Sequence, residues 1–583
     1  MKRPICLILC AAACITAARA QQNDTAIHRV VTVERDFQPV IRNAGKLNPT
    51  PVVIEQQRQL APVVYSTYSE PLSIGFNVHT LQAAETNFSA QSPLQGFVDG
   101  AIGHRNTHFG FGYRIAEKKK MSLDLFANHD AMWGRQTLSD SRLGMAVTRH
   151  FSAADLYFGV DGNNEYYSLY GRYYNGNTRG SYDKNNNLTA SKIADLRPED
   201  WQNTWLVNTR IGIRSRGNVP VRYDLNAGYS AYILPNAATE HQIRTRLDAV
   251  WAINDEHSAG LDFYAQDNLY SVSDSLHLTP ADSRARHAFR IEPFYAYTGS
   301  KFRIHAGVNF DFNLGTNHLW SARQDISFAP SPNVSLEWLI MKDILNLYAT
   351  AQGTYGTGTL MEYMLTNRYM NAAEGIATNH VPAYTPVDAQ LGFKIRPLPT
   401  LLLDIYTGYA YQLNQQLLLA PTPEFYEHNR QAYLSFYYSD WQCWKVGAKI
   451  HYHYRDIIDI HLSGNYYHWI CQNIEGADKM PKGVYDRPSW DAHLRIDAHI
   501  DQKWSIYSDN SFVGARTALT LQQDGTTATL KPIISLNIGA AYAVNRWLTT
   551  YIQLNNYLNR ANDIYYGYQS EGCHFLLGAK YQF

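Results

Sequence analysis

Two histidines, His451 and His453, stand two apart in a run that alternates apolar and polar residues. At that spacing both project from one face of a strand, where two imidazoles can share a metal ion. No cysteine or carboxylate on the same strand completes a ligand set. The expectation is therefore a polar network, with no metal and no cofactor. The equivalent faces of other runs carry cations: Arg244, Arg246, Arg303, Lys445, Lys449, Arg455 and Arg495. Gathered around a lumen, these would attract anions. Acids share those faces, among them Asp248, Asp262, Asp311, Asp404 and Asp497, so structural pairing is the favoured reading. Serines and histidines occur, but no G-x-S-x-G or comparable motif and no glycine-rich phosphate loop. No catalytic residue is expected, and the chain is not read as an enzyme.

The elements that must position these residues are long strands. Lys301 to Asn313 sets Phe302, Ile304, Ala306, Val308, Phe310 and Phe312 against Lys301, Arg303, His305, Asn309 and Asp311. Gln442 to Arg455, Gln242 to Ile253 and His493 to Ile500 repeat the pattern. Such runs last about 10 to 14 residues, against about 5–6 for soluble strands. That is enough to cross a bilayer when tilted. After the first residues no stretch of about 18 apolar residues exists, so no spanning helix is expected. Aromatics make up 13% of the chain, with 42 Tyr and 12 Trp. This suits the interfacial girdles of a membrane barrel.

The last stretch, Gly572 to Phe583, alternates Cys573, Phe575, Leu577, Ala579, Tyr581 and Phe583 with His574, Leu576, Gly578, Lys580 and Gln582. It reads as a strand that closes a cylinder. The fold class is all-β: a transmembrane antiparallel β-barrel of about 22 strands, within roughly 18 to 24, with short periplasmic turns and longer extracellular loops. Twenty-three strands can be marked from Gly96 onward, with separate ones starting near His428 and Trp441. Barrels of this kind take an even number, so one is miscounted or one is missed. Glu117 to Lys120 and Asn545-Arg546 read as turns. Tyr174–Asp200, Asp267–Ala285, Gly356–Pro382, Ala420–Asn429 and Cys471–Pro488 read as loops, and Thr359–Met370 has helical spacing within its loop.

The chain begins with Lys2 and Arg3, an apolar run from Ile5 to Ile15, and Ala18-Arg19-Ala20. This is a cleavable signal peptide over residues 1–20. Residues 21–95 differ in pattern from the rest of the chain. They hold one alternating piece, with Val31, Val33, Arg35 and Phe37 as the candidate strand for a partner, and then Pro39, Pro49, Pro51, Pro62 and Pro71. Proline blocks central strands, so this reads as an extended periplasmic or lumen-filling segment before a barrel over 96–583. With 51 basic and 51 acidic residues, there is no argument for nucleic acid. Three of the six cysteines, Cys443, Cys471 and Cys573, lie beyond the signal, and a disulfide scaffold is not expected.

The end of the chain resembles TonB-dependent receptors. Asn556, Leu558 and Asn559, then Tyr568, Gly572, Tyr581 and Phe583, match their closing strands, with Gln569 where proline is common. GAKYQF is similar to their C-terminal insertion signal, carried by Tyr581 and Phe583. The resemblance implies an integral protein of the cell outer membrane, surrounded by lipid and inserted by the barrel-assembly machinery. It also implies a folded plug of well over a hundred residues, for which 21–95 is too short, so TonB-driven uptake does not follow. Two roles are expected. One is solute passage, alone or as the membrane part of a transport complex. The other is a non-conducting scaffold for a periplasmic or surface partner, as an assembly or secretion accessory.

Overall fold

The computed structural model describes residues 96–117, 120–134, 136–171, 201–217, 219–235, 238–272, 286–314, 327–341, 343–370, 381–420, 434–455, 457–474, 483–501, 503–520 and 527–583. The proposed partner strand, Val31 to Phe37, lies outside them. Long alternating runs can satisfy their backbone in lipid only by pairing each strand on both sides, and this chain does so. Its strands are β1 (Gly96–Gly103), β2 (Asn106–Glu117), β3 (Met121–Met132), β4 (Leu138–His150), β5 (Ala154–Ser168), β6 (Trp201–Ser215), β7 (Val221–Leu234), β8 (Ala238–Ala252) and β9 (His257–Val272). There follow β10 (Arg286–Thr298), β11 (Phe302–Leu314), β12 (Phe328–Met341), β13 (Leu345–Tyr355), helix α1 (Leu360–Thr366), β14 (Tyr384–Leu398), β15 (Leu401–Ala420), β16 (Ser435–Tyr454) and β17 (Ile458–Ile474). The chain ends with β18 (Trp490–His499), β19 (Trp504–Val513), β20 (Arg516–Thr520), β21 (Thr527–Leu530), β22 (Ile533–Ala543), β23 (Leu548–Asn555), β24 (Asp563–Tyr565), β25 (Tyr568–Gln569) and β26 (His574–Gln582).

The main sheet holds 24 strands. Two of them, β20 and β21, form a hairpin that stands off the wall. The other 22 form a closed antiparallel cylinder, as the alternation predicts. Closure is between the first strand and the last, from Phe97↔Gln582 to Gly103↔Leu576. Gly96 and Phe583 exchange backbone hydrogen bonds of 2.9 and 3.0 Å. No edge strand is left in the wall.

The two faces are sorted as lipid requires. On β11, Phe302 and Val308 are exposed, whereas Asn309, Asp311 and Asn313 are buried; Val308 is 42% accessible and Asp311 5%. On β26 the exposed members are Phe575, Leu577, Ala579 and Tyr581. A soluble fold would show the reverse; a barrel wall with an apolar exterior and polar lumen shows this.

The miscounted strand is the one near His428. Trp441 lies within β16, a single strand of 20 residues that already begins at Ser435, and His428 lies outside the described residues. Its register against β15 shifts between Gln412 and Gln415, where Asn414 is left-handed at φ 53°, and against β17 between Asp440 and Trp441. The extra residue at each shift lies in the neighbouring strand, and β16 itself runs on unbroken to about twice the length a crossing requires, so its outer part reads as a separate strand. The loops placed at Asp267 and Cys471 start later than expected, because β9 runs to Val272 and β17 to Ile474. Cys443, Cys471 and Cys573 are all free.

The two rims differ. At one, strands meet in short turns. Asn254, Asp501 and Asn545 each turn a side-chain oxygen onto two backbone N–H groups two and three residues on, at 2.7 to 3.0 Å. At the other rim lie α1, β20–β21, β24–β25 and most of the long connections. The large buried apolar clusters gather there.

Candidate functional site

The loop rim is built across, and α1 is its keystone. Thr359 caps the helix, its hydroxyl accepting from Glu362 N at 3.2 Å. The Glu362 carboxylate reaches back to the N–H groups of Thr357 and Gly358 at 3.1 and 2.9 Å. Gly358 is left-handed at φ 61°, which lets the chain turn from β13 into the lumen. Leu360, Tyr363 and Met364 are buried.

These side chains reach walls far from β13. On one side they pack with Tyr232, Leu234 and Ala238 of β7 and β8. Glu240 of β8, fully buried, accepts from Met361 N at 2.9 Å. Arg286 at the start of β10 donates to Gly358 O at 2.7 Å. On the other side Tyr363 and Tyr438 of β16 share a 2.9 Å hydroxyl bond, and Tyr438 accepts from Val381 N at 2.9 Å. Just beyond the helix, Tyr167 of β5 donates to Arg368 O at 2.9 Å. In a ring of 22 strands, β5 and β16 stand opposite each other. The α1 segment therefore bridges the lumen.

A second layer of tyrosines closes around it. Tyr369 stacks on Tyr568 with ring centres 4.2 Å apart and meets Tyr170, Tyr167 and Tyr565 edge-on at 5.8, 6.3 and 6.4 Å. Ala518, Ala528 and Leu530 of β20–β21 and Ile564 of β24 complete the cluster. The β20–β21 hairpin leaves its neighbours and pairs in parallel with the end of β15, Leu419↔Leu519 and Ala420↔Thr520. Arg516, buried, donates to Ile564 O at 2.7 Å. Beside it, Asp486 lies in the connection after β17, where burial pushes its carboxyl up to about 6 against the opposing charges of Arg516 and Arg487. Together these pieces form a lid over the loop end of the barrel.

The wall residues singled out by sequence are spread along the barrel. Arg246 bonds Asp248 and Asp262 at 3.1 and 3.2 Å. Arg303 bonds Glu337 at 3.1 Å. Arg495 lies between Asp497 and Asp509 at 2.9 and 3.1 Å. Lys445 and Asp388, both buried, are 3.3 Å apart. Arg244 donates to Ser230 at 2.6 Å, and the Lys449 ammonium lies 5.6 Å from the centre of the Tyr406 ring. Arg455 is not on a strand: it sits in the β16–β17 turn at φ 46°, with its guanidinium over the Tyr454 ring. His451 and His453 both bond Asp459 of β17, at 3.0 and 3.2 Å. At the end of the chain Phe583 stacks on Tyr113 and Tyr581.

Sequence reasoning found α1 by its spacing but not what it touches. The lid tyrosines fall in short irregular segments with no period to read. Asp459 and His461 were missed as neighbours of His451 because they sit on the next strand.

Neither a protein-family model nor a curated protein sequence matches the chain. Solved structures do. The FrpB iron transporter from Neisseria meningitidis aligns with a TM-score of 0.63 at 8% identity, over 84% of this chain and 83% of that one. The siderophore receptor PirA from Acinetobacter baumannii gives 0.62 at 11% identity, over 84% and 80%. The copper transporter OprC gives 0.59 at 12% identity, over 84% and 80%. The likeness is one of fold: this chain has the 22-strand barrel found in TonB-dependent receptors.

Proposed function

We propose that the protein is an integral outer-membrane barrel that passes a solute through a lumen gated at its loop end. The observation that carries this is the lid: α1 and the tyrosine cluster tie opposite walls together by side-chain packing and a few hydrogen bonds. Structures of like fold bear the names of receptors and transporters, which supports transport and gives no support to an enzyme. On this reading residues 1–20 are a cleaved signal peptide, the barrel-assembly machinery inserts the chain by Tyr581 and Phe583, and Val31, Val33, Arg35 and Phe37 offer an edge to a periplasmic partner. The wall cations Arg244, Arg246, Arg303, Lys445, Lys449 and Arg495 act mainly in ion pairs and hydrogen bonds, because acids share their faces.

The test is conductance of the purified full chain in planar bilayers, with Tyr363→Ala/Tyr438→Ala as the comparison. That variant unties α1 from β16. Wild type should show rare, brief openings, and the variant large and frequent ones. If both stay closed, the non-conducting scaffold is the better reading. If wild type is permanently open, the lid is no gate.

A further inference from the structure

We propose that the β16–β17 hairpin carries a binding site for a divalent transition-metal ion at the short-turn rim, formed by His451, Asp459 and His461. The site follows from register. A three-residue turn joins the strands, placing His453 opposite Asp459 and His451 opposite His461 on the polar face. Directly opposed side chains are in reach, and diagonal ones are within reach of long side chains. An H-x-H on one strand and a D-x-H on the next thus become one cluster. The Nε2 atoms of His451 and His461 lie 3.0 and 2.8 Å from the same oxygen, Asp459 Oδ1. All three donor atoms lie within 4.8 Å of one another.

The rings of His451 and His461 stack at 4.1 Å, 15° from parallel, which holds their Nε2 atoms side by side. The His461 Nε2 is buried and makes no hydrogen bond despite its closeness to Asp459. Two nitrogen donors and one carboxylate oxygen that converge on a common point are what a tetrahedral ion needs, at about 2.0–2.2 Å from each. Small rotations would open the 2.8–3.0 Å contacts to admit it, leaving a fourth position for water. His453 holds the other carboxylate oxygen, Oδ2, at 3.2 Å, and is a positioning residue for Asp459.

The surroundings do not oppose a cation. Arg495 faces His461 in register, but its guanidinium is held by Asp497 and Asp509. The Lys449 ammonium lies over the Tyr406 ring. Imidazole with a single carboxylate suits zinc, copper or nickel over magnesium or calcium, which prefer all-oxygen sites. This inference does not depend on the transport reading, since it concerns equilibrium binding and not flux.

The experiment is titration of the tag-free, refolded full chain in detergent with Zn2+ by calorimetry and with Co2+ by visible absorption. One Zn2+ should bind per chain in the presence of excess Mg2+, and Co2+ should give ligand-field bands. His461→Ala and Asp459→Asn should each weaken Zn2+ by more than the roughly 10–100-fold typical of outer-shell partners, and His453→Ala by a factor in that range. His493→Ala, whose partner is Asp509, should bind as wild type does. Heat-modifiable migration monitors folding of every variant. Absence of Zn2+ binding to wild type overturns the proposal, whatever the variants do. So does binding that survives both His461→Ala and Asp459→Asn, or that Mg2+ displaces.

Discussion

Replacing Tyr369 by alanine should open the lid without harming the wall. The side chain is buried at the centre of four aromatic neighbours, Tyr568, Tyr170, Tyr167 and Tyr565. Deleting a buried aromatic costs about 3–5 kcal/mol, and an area argument at about 25 cal/mol per Å2 for about 150–200 Å2 agrees. The backbone bonds of residue 369, its N–H to Asn367 Oδ1 and its C=O from Leu434 N, survive the change. The cost therefore falls on packing, not on the path of the chain. At about 1.4 kcal/mol per tenfold, the open population should rise by about 100-fold to a few thousand-fold. Tyr369→Phe keeps the ring and should cost under about 1.5 kcal/mol. Single-channel recording gives the open fraction directly, and heat-modifiable migration reports the wall. Open fractions of Tyr369→Ala no greater than those of Tyr369→Phe would refute the gate. Loss of the folded barrel would show that lid and wall are one unit.

Three further outcomes are expected from the wall and the loops. Val308→Arg should destabilise the barrel by about 2–4 kcal/mol in urea titrations into lipid vesicles, whereas Asn309→Ala should cost under about 1.5 kcal/mol; equal effects would contradict the assignment of faces. Lys445→Met should cost about 3–5 kcal/mol by leaving Asp388 buried and unpaired, and adding Asp388→Asn should recover most of that loss in the same titration. The pH dependence comes from Asp486: its docked carboxyl is raised to about 6 by burial, so the docked loop holds its proton more tightly than the free loop does. Docking is then strongest below the free value of about 3.8 and weakens as pH rises through about 6. Channel openings should increase over that window in wild type, and Asp486→Asn should flatten the change.

The wall was legible because lipid imposes one rule on every strand. Alternation has to persist for the whole crossing, and residues such as Phe302 to Phe312 spell it out. Where the rule stops applying, legibility stops too. β15 and β16 each run 20 residues, about twice what a crossing requires, and their outer halves answer to the lid. There Phe436 and Tyr438, on even positions, are buried against α1, while in the wall the buried Lys445 is on an odd one. The bulge beside them lies in β15 and has no compositional mark beyond Asn414. The residues of the proposed metal site show a different limit. His451 and His453 could be paired by period alone, but Asp459 and His461 enter only once the hairpin register is known.

The same division bears on how such a barrel could move. The wall is held by continuous ladders: β15 and β16 alone share 17 register pairs. The lid touches the wall's ladders through far fewer, two between β15 and β20 and one bridge between Met370 and Leu434. Among the described residues, the rest of what holds it is side-chain packing and scattered hydrogen bonds. Breaking a ladder exposes backbone groups to lipid, which costs several kcal/mol for each one left unpaired. Displacing the lid exposes tyrosines at the aqueous end of the barrel, where hydroxyls and peptide groups can be met by water. If the lid is the gate proposed above, the barrier to its opening is set by aromatic packing, and substitutions at Tyr369 or Tyr438 should tune it independently of the wall.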